Sequence, residues 1–219
     1  MNVEVVIPHG KADPAGRIAA REHVTAHYLA HHPDWPVVLA ECPTDDWSKG
    51  AAANPRLLGS DADVIVLADA DSWTDPGALT DAVDAVAAGG WAAPFTLVRR
   101  INRDDTCRIL TGQHTETPRL ERRPVRGVPG GGIVVAHRDA WRTVNGVDPR
   151  LGAGEDVCLG MALHTLVGRP RLPARSTVLW HLWHPRIPAR VNAAVWNRYR
   201  ATRRIRHGRN HLALLVKEW

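Results

Sequence analysis

Short apolar runs alternate with helical patterns along the first half of the chain, which predicts strand-helix-strand units. Cap and turn residues flank the helical patterns, such as Asp13-Pro14 before the first and Gly89-Gly90 after the third. The predicted strands cover about Glu4 to Ile7, Pro36 to Ala40, Val64 to Leu67, Trp91 to Val98, Ile133 to Ala136 and Ser176 to Leu182. The predicted helices run from Asp13-Pro14 to His32-Pro33, Trp47 to Leu58, Asp75-Pro76 to Gly89-Gly90, and Val157 to Leu166. This order predicts an α/β fold, a Rossmann-like, mostly parallel sheet flanked by helices in a single domain.

The stretch from Arg99 to Pro129 breaks this alternation. It is rich in Arg, Thr, Asp and Pro and has weak periodicity, which predicts a long loop or irregular excursion that becomes ordered over a substrate. The glycine cluster Gly127-Val128-Pro129-Gly130-Gly131-Gly132 then stands directly before the strand at Ile133. Such a cluster is typical of simple flexibility and equally of a close approach between backbone and ligand.

Charge and cysteine content narrow the class of protein. The chain carries 28 Lys and Arg against 23 Asp and Glu, a formal net charge of +5. Eight arginines and no acid lie between Arg186 and Arg209, as in a solvated helix face or a surface that contacts phosphate-rich partners. The 3 cysteines are scattered, which argues against a disulfide framework or a thiolate zinc site and favours a reducing compartment. Without a signal-length apolar core or a membrane-length apolar segment, we expect a cytoplasmic protein.

Two carboxylates follow the apolar run at Val64 to Leu67. Residues two apart in an extended chain point the same way, so Asp69 and Asp71 can face one hard cation or one ligand hydroxyl. The carboxyl end of a strand is also where open α/β sheets bind ligands. The pattern therefore indicates a metal-held diphosphate site, although an acidic turn after a strand has the same sequence.

Acidic and imidazole side chains also occur late in the chain. Glu155 and Asp156 open the predicted helix at Val157, where acids offset the helix dipole and cap free N–H groups as well as serving chemistry. His181 and His184 lie near the end of the last predicted strand. Residues three apart on an extended chain face opposite sides, so we expect one of them, His181 in preference, to bind metal unless the chain turns there. Either histidine can instead be a hydrogen-bonded group near Trp180 and Trp183.

In their order along the chain, these motifs resemble the GT-A fold nucleotide-sugar glycosyltransferases. The resemblance is strongest to the family 2 transferases and to galactosyl- and N-acetylgalactosaminyltransferase catalytic domains, and it covers about Val3 to Pro185. Its motifs are a first strand ending in Pro8-His9, a helix with Lys49 and Asn54, the Asp-x-Asp strand end, a Gly-Gly-Gly strand, a Gly-Val-Asp turn, Gly-x-Gly-Glu-Asp opening a helix, and a late His. One departure is Ala153, which stands where many relatives carry a tryptophan.

The resemblance implies a role for each matching residue. Pro8, His9 and Glu41 would border the nucleoside, while Lys49 and Asn54 would meet the base and ribose. Asp69 and Asp71 would hold the metal, with Asp71 the more direct ligand and His181 or His184 completing the shell. Asp156 would be the acceptor-side base, and Glu155 would bind acceptor or sugar hydroxyls.

The implied enzyme is a metal-dependent, inverting hexosyltransferase that uses a nucleotide sugar, with UDP-sugar as the expected donor and Mn²⁺ (or Mg²⁺) as the cofactor. Residues 1–185 would form the catalytic domain, with 1–98 binding the nucleotide sugar and 127–185 the acceptor and metal, and 186–219 would form a basic helical extension. The acceptor would be a glycan or a modified DNA base held through the Arg186 to Arg209 segment. The alternatives are a sugar-phosphate nucleotidyltransferase and a non-catalytic nucleic-acid-binding module.

Overall fold

The computed structural model describes residues 1–113, 120–124, 129–185, 192–202 and 208–219. Its strands are Val3–His9 (β1), Val37–Glu41 (β2), Val64–Ala68 (β3), Ser72–Thr74 (β4), Trp91–Ala92 (β5), Leu97–Ile101 (β6), Leu120–Pro124 (β7), Ile133–His137 (β8) and Val178–His181 (β9). Its α-helices are Ala15–His31 (α1), Lys49–Gly59 (α2), Pro76–Val86 (α3), Arg103–Leu110 (α4), Arg138–Val144 (α5), Glu155–Ala162 (α6), Ala193–Thr202 (α7) and Gly208–Leu215 (α8). A π-helical turn, Leu163–Val167, continues α6.

The central sheet has 5 strands in the order β2-β1-β3-β8-β5. β1 pairs in parallel with β2 and β3, whereas β8 is antiparallel to both β3 and β5. Alternate residues of β3 enter two different hydrophobic clusters, Ile65 and Leu67 one and Val64 and Val66 the other. A strand buried on both faces reads as a continuous apolar run, which is why the sequence reveals it. The predicted α/β fold is confirmed.

A second sheet of 4 strands, in the order β4-β9-β6-β7, stands beside the first. β9 is antiparallel to β4, with Ser72 opposite His181, and parallel to β6. Because β4 follows β3 after a turn of only three residues, this register brings the end of β9 to the carboxyl end of β3. The two sheets thus place residues about a hundred positions apart at one edge.

Two predictions for the middle of the chain were wrong. The strand expected from Trp91 to Val98 is divided into β5 and β6, which belong to different sheets, because the chain crosses between sheets around Pro94, a residue with no N–H for a ladder. The loop expected from Arg99 to Pro129 contains the end of β6, all of α4 and all of β7. Within that range, residues 114–119 and 125–128 lie outside the described residues.

The sequence of helix α4 has an N-cap residue but lacks the apolar periodicity that would predict a helix. Asn102 precedes it, and its side chain accepts a hydrogen bond from the Asp105 N–H at 2.8 Å. Helix α5 was likewise not predicted, and α6 begins at Glu155, so both acids lie in its first turn.

The C-terminal helices pack on the central core. Val195 and Tyr199 of α7 and Leu212 and Leu215 of α8 are buried in the cluster that contains Ile65. Parts of the Arg186 to Arg209 segment, residues 186–191 and 203–207, lie outside the described residues. In the described ranges, no helix combines the length and apolarity needed to cross a membrane.

Candidate active site

The carboxyl ends of β1 and β3, the end of β9 and the start of α6 meet at one cleft of about 240 Å³. It is lined by all of the predicted site residues except Glu41 and Asn54: Pro8, His9, Lys49, Asp69, Asp71, Glu155, Asp156, His181 and His184. A larger cavity, about 610 Å³, lies at the amino end of β1 and is lined in part by Glu4, Trp35 and Arg56. Among the described residues, it holds no group of three potential metal ligands. The smaller cleft is therefore the candidate site.

Asp71, His181 and His184 form the group in this cleft that could hold a cation. Their ligand atoms all lie within 4.8 Å of one another. Asp71 Oδ1 is 3.7 Å from His181 Nε2, and Asp71 Oδ2 is 3.1 Å from His184 Nε2. The Leu182 N–H donates to the Asp71 carbonyl at 2.9 Å, which ties the end of β9 to this position. Because β9 ends at His181, the extended-chain spacing does not separate the two imidazoles, and their ring centroids are 5.3 Å apart.

Asp69 faces a different partner. Its Oδ1 lies 2.8 Å from Lys49 Nζ, and its Oδ2 accepts the Gly132 N–H at 3.0 Å. β3 ends at Ala68, so Asp69 and Asp71 stand in a turn, where the two-residue period of a strand no longer applies. Burial raises the pKa of Asp69, but the Lys49 ammonium, His181 and the Gly132 N–H together lower it more, so the pKa is below its ordinary value. Asp69 is consequently a carboxylate engaged by Lys49, outside the group formed by Asp71 and the histidines.

Lys49 lies between carboxylates of both halves of the chain. Besides Asp69, its ammonium contacts Asp156 Oδ1 at 2.6 Å and Glu155 Oε1 at 3.8 Å. Burial lowers the pKa of Lys49, but the three carboxylates together raise it by more than burial lowers it. The pKa of Lys49 is therefore well above its ordinary value. Lys49 is therefore a permanent cation within an acidic cluster.

Asp156 combines burial with access to the cleft. Burial raises the pKa of its carboxyl to about 7, and Lys49 opposes this rise while Asp69 and Glu155 add to it. Asp156 therefore keeps its proton to a higher pH than an ordinary aspartate does. The side chain nevertheless remains 40% exposed. A carboxyl that titrates near neutrality and reaches the cleft is suited to accept a proton.

The glycine cluster packs against this carboxyl. A Cβ on Gly131 would lie 2.3 Å from Asp156 Oδ2, and one on Gly130 would lie 1.8 Å from the Asp156 carbonyl oxygen. Gly132 has φ +77°, in the left-handed region. In the described part of the cluster the close approach is thus to the start of α6; Gly127 and Val128 lie outside the described residues.

Two residues assigned by the resemblance lie away from the cleft. Asn54 Nδ2 donates to the Val147 carbonyl and its Oδ1 accepts the Val147 N–H, both at 2.8 Å, so its amide holds the Gly-Val-Asp turn. Glu41 is exposed at the end of β2. Lys49 does line the cleft, but it contacts carboxylates.

Some cleft residues were not predicted from the sequence. Arg17 and Asp13 line the cleft beside the end of β1, and Trp47 lines it before α2. The available signal was topological, because a helix that follows a strand begins at the strand's carboxyl edge.

Near the position of Ala153, Trp196 of α7 supplies an aromatic ring: a Cβ on Gly154 would lie 3.0 Å from its Cζ3.

The fold is the GT-A fold of nucleotide-sugar glycosyltransferases. The structure of GalNAc-T7 with UDP, GalNAc and Mn²⁺ has a TM-score of 0.52 and 12% sequence identity, and the match covers 84% of this chain and 44% of that one.

Two further structures match with lower scores. The structure of S. aureus TarS 1-349 has a TM-score of 0.48 and 10% identity, over 83% of this chain and 60% of that one. The mannosyltransferase PcManGT from Pyrobaculum calidifontis, in complex with GDP-Man and Mn²⁺, has a TM-score of 0.48 and 17% identity, over 100% of this chain and 65% of that one. The chain thus spans less than two thirds of the length of each. No protein-family model and no curated protein sequence matches it.

Proposed function

We propose that this protein is a metal-dependent glycosyltransferase that moves a sugar from a UDP-sugar to an acceptor hydroxyl with inversion at the anomeric carbon. One observation carries the proposal: a group suited to hold a cation, Asp71 with His181 and His184, shares a cleft with Asp156, a carboxyl suited to accept a proton. The GT-A fold supports it, since GalNAc-T7 has that fold and its structure contains UDP, GalNAc and Mn²⁺.

The donor set fits a divalent transition metal. One carboxylate oxygen and two imidazole nitrogens favour Mn²⁺ over Mg²⁺, which prefers oxygen ligands alone. When bound, the cation would supply positive charge against the diphosphate that leaves the sugar. Ser72 Oγ donates to Asp71 Oδ1 at 3.0 Å and so helps to orient this carboxylate toward the cleft.

Asp156 is the proposed general base. As the acceptor oxygen bonds to the anomeric carbon, the hydroxyl proton passes to Asp156 and the bond between that carbon and the diphosphate oxygen breaks. Lys49, which contacts Asp156 Oδ1, holds the carboxylate in place, and Glu155 beside it is proposed to bind acceptor or sugar hydroxyls. Attack opposite to the leaving group gives inversion.

On the donor side, Pro8 and His9 at the end of β1 are proposed to border the nucleoside. Glu41, at the end of the neighbouring β2, does not line the cleft, and its place beside the nucleoside stays a prediction of the resemblance. For the acceptor we propose a glycan hydroxyl, which matches the frequency of such acceptors among transferases of this fold. A modified DNA base is the competing acceptor, and the salt dependence of transfer separates the two.

Calorimetric titration of UDP into the protein tests the donor site. We expect binding that requires Mn²⁺, disappears with a chelator, and weakens by roughly a hundredfold in Asp71→Ala, because the variant loses the only carboxylate of the donor set. His181→Ala and His184→Ala should each weaken Mn²⁺ binding about tenfold or more.

The matched control is Asp81→Ala, which removes an exposed carboxylate on α3, and it should bind UDP as the wild type does. UDP binding that survives both the chelator and Asp71→Ala would contradict the metal site. If GDP binds and UDP does not, the UDP-sugar donor is wrong. Transfer from UDP-sugars to glycans that does not depend on salt would favour the glycan acceptor over DNA.

A further inference from the structure

We propose that Arg17 binds the diphosphate of the nucleotide donor, an inference that rests on the proposed function. Neither the sequence motifs nor the fold assigns this residue a role.

Arg17 lies in the first turn of α1, directly after the strand whose carboxyl end borders the cleft. The Nη2 atom of Arg17 is 3.0 Å from His184 Nδ1, and the other ring nitrogen of His184, Nε2, is 3.1 Å from Asp71 Oδ2. The guanidinium is thus one imidazole ring away from the Asp71 carboxylate. Any anion held at the proposed metal group therefore has Arg17 as a neighbour.

The cleft has more acids than cations, so a dianionic donor needs a basic side chain that is free to meet it. Among the described residues that line the cleft, Lys49 and Arg17 are the lysine and the arginine. Lys49 is already in contact with Asp69, Glu155 and Asp156. Arg17 has no carboxylate within ion-pair distance among the described residues, which leaves it as the available cation.

The guanidinium also has hydrogen-bonding capacity to spare. The Nε of Arg17 is buried and has no hydrogen-bond partner among the described residues. Its Nη2 contacts the imidazole of His184. A guanidinium presents a planar fork of donors that matches two phosphate oxygens, and such charge-assisted pairs are stronger than a bond to a neutral ring. A diphosphate would therefore be a better partner than the one Arg17 has.

Binding of UDP, uridine and Mn²⁺ to Arg17→Gln tests the inference without reference to turnover. We expect UDP affinity in the presence of Mn²⁺ to fall roughly ten- to hundredfold, because charge-assisted hydrogen bonds to phosphate are lost. Uridine affinity should be unchanged, since the nucleoside lacks the phosphates. Arg17→Lys should recover part of the UDP affinity because it keeps the charge but not the fork.

Arg21→Gln is the matched control. Arg21 lies one turn further along α1, and its NH1 is 3.9 Å from Asp13, so its loss changes the same helix charge without touching His184. It should leave UDP affinity within about twofold. Thermal unfolding of each variant verifies that it folds.

The outcomes separate this inference from the proposed function. Arg17→Gln that binds UDP as tightly as the wild type, or that loses UDP and uridine equally, overturns the role of Arg17 alone. Weaker binding of Mn²⁺ without nucleotide, measured by electron paramagnetic resonance, would show that Arg17 acts by positioning His184 and would also overturn it. Wild-type protein that binds no UDP overturns the proposed donor and this inference together.

Discussion

Replacing Lys49 with Met removes the one ammonium from a cluster of three carboxylates. In the wild type, Nζ lies 2.8 Å from Asp69 Oδ1, 2.6 Å from Asp156 Oδ1 and 3.8 Å from Glu155 Oε1, and the Lys49 side chain is 7% exposed. Met retains the apolar part of the side chain, so the difference between the variant and the wild type reports the effect of the ammonium charge. We expect a large loss of stability at neutral pH, because the carboxylates would repel one another without a counter-ion.

The size of the effect follows from burial. Removing one partner of a buried ion pair costs about 3–5 kcal/mol. The Asp69 and Asp156 side chains are 22% and 40% exposed, and water that reaches them screens part of the repulsion. We therefore expect a loss of about 2–4 kcal/mol. For a chain of this length that corresponds to a fall in Tm of about 5–12 °C.

The sign of the pH dependence gives a second test. The pKa of Lys49 is raised in the folded state, so its stabilisation is complete below its unfolded pKa and is lost only when the pH rises through the higher folded pKa. The Lys49 ammonium therefore keeps its charge from pH 5 to pH 8 in the wild type, although Asp156, with a pKa of about 7, gains its own charge over the same range. In Lys49→Met the unpaired carboxylates take up protons more readily, so the loss of stability should be smaller at pH 5 than at pH 8.

Thermal and urea unfolding at both pH values measure these effects. Lys217→Met is the matched control, since it deletes the same charge from an exposed position and should change Tm by less than about 2 °C. The reasoning is refuted if Lys49→Met and Lys217→Met unfold alike at pH 8, or if the deficit of Lys49→Met does not depend on pH.

Two further predictions concern the base. The pKa of Asp156 is about 7 and only its ionised form accepts a proton, so kcat/KM should rise with pH to a plateau, with its midpoint near pH 7. Asp156→Asn should lower kcat by roughly 10²–10⁴. A flat pH profile of kcat/KM from pH 6 to 8 in steady-state assays would contradict this role of Asp156. Gly131→Ala should lower kcat about a hundredfold, since its Cβ would lie 2.3 Å from Asp156 Oδ2 and displace the carboxyl, whereas Gly16→Ala in open space on α1 should leave kcat unchanged. Equal kcat values for the two alanine variants would rule out the close packing.

The parts of the fold that could be predicted are the buried elements, because their sequences show a recognisable apolar pattern. β1, β3 and β8 are buried along almost their whole length and are apolar runs, interrupted in β1 by Glu4 and ended in β1 and β8 by a histidine. By contrast, β6 reads Leu-Val-Arg-Arg-Ile and α4 contains Asp104, Asp105 and two arginines, so polarity masks both elements. Only the Asn102 cap marked α4, and a cap without apolar periodicity was not enough to identify a helix.

Most of the residues that motif order singled out line one cleft, but their pairing could not be predicted from the sequence. Lys49 meets Asp156 across 107 positions, and Arg17 meets His184 across 167, so no local pattern records either contact. The i, i+2 argument for Asp69 and Asp71 also failed to predict their partners, because it requires an extended chain and β3 ends at Ala68. Such contacts depend on how two sheets are placed side by side.

The different partners of Asp69 and Asp71 have a consequence for the proposed chemistry. A divalent cation in an acid-rich cleft is attracted to every carboxylate it can reach, including Glu155 and Asp156 at the start of α6. The Lys49 ammonium provides those carboxylates and Asp69 with a cation of their own. Among the described residues, Asp71, His181 and His184 are therefore the donor set that remains for a metal, and Asp156, the proposed base, is kept from becoming a ligand. On this reasoning Lys49 separates donor activation from proton transfer within one small cleft.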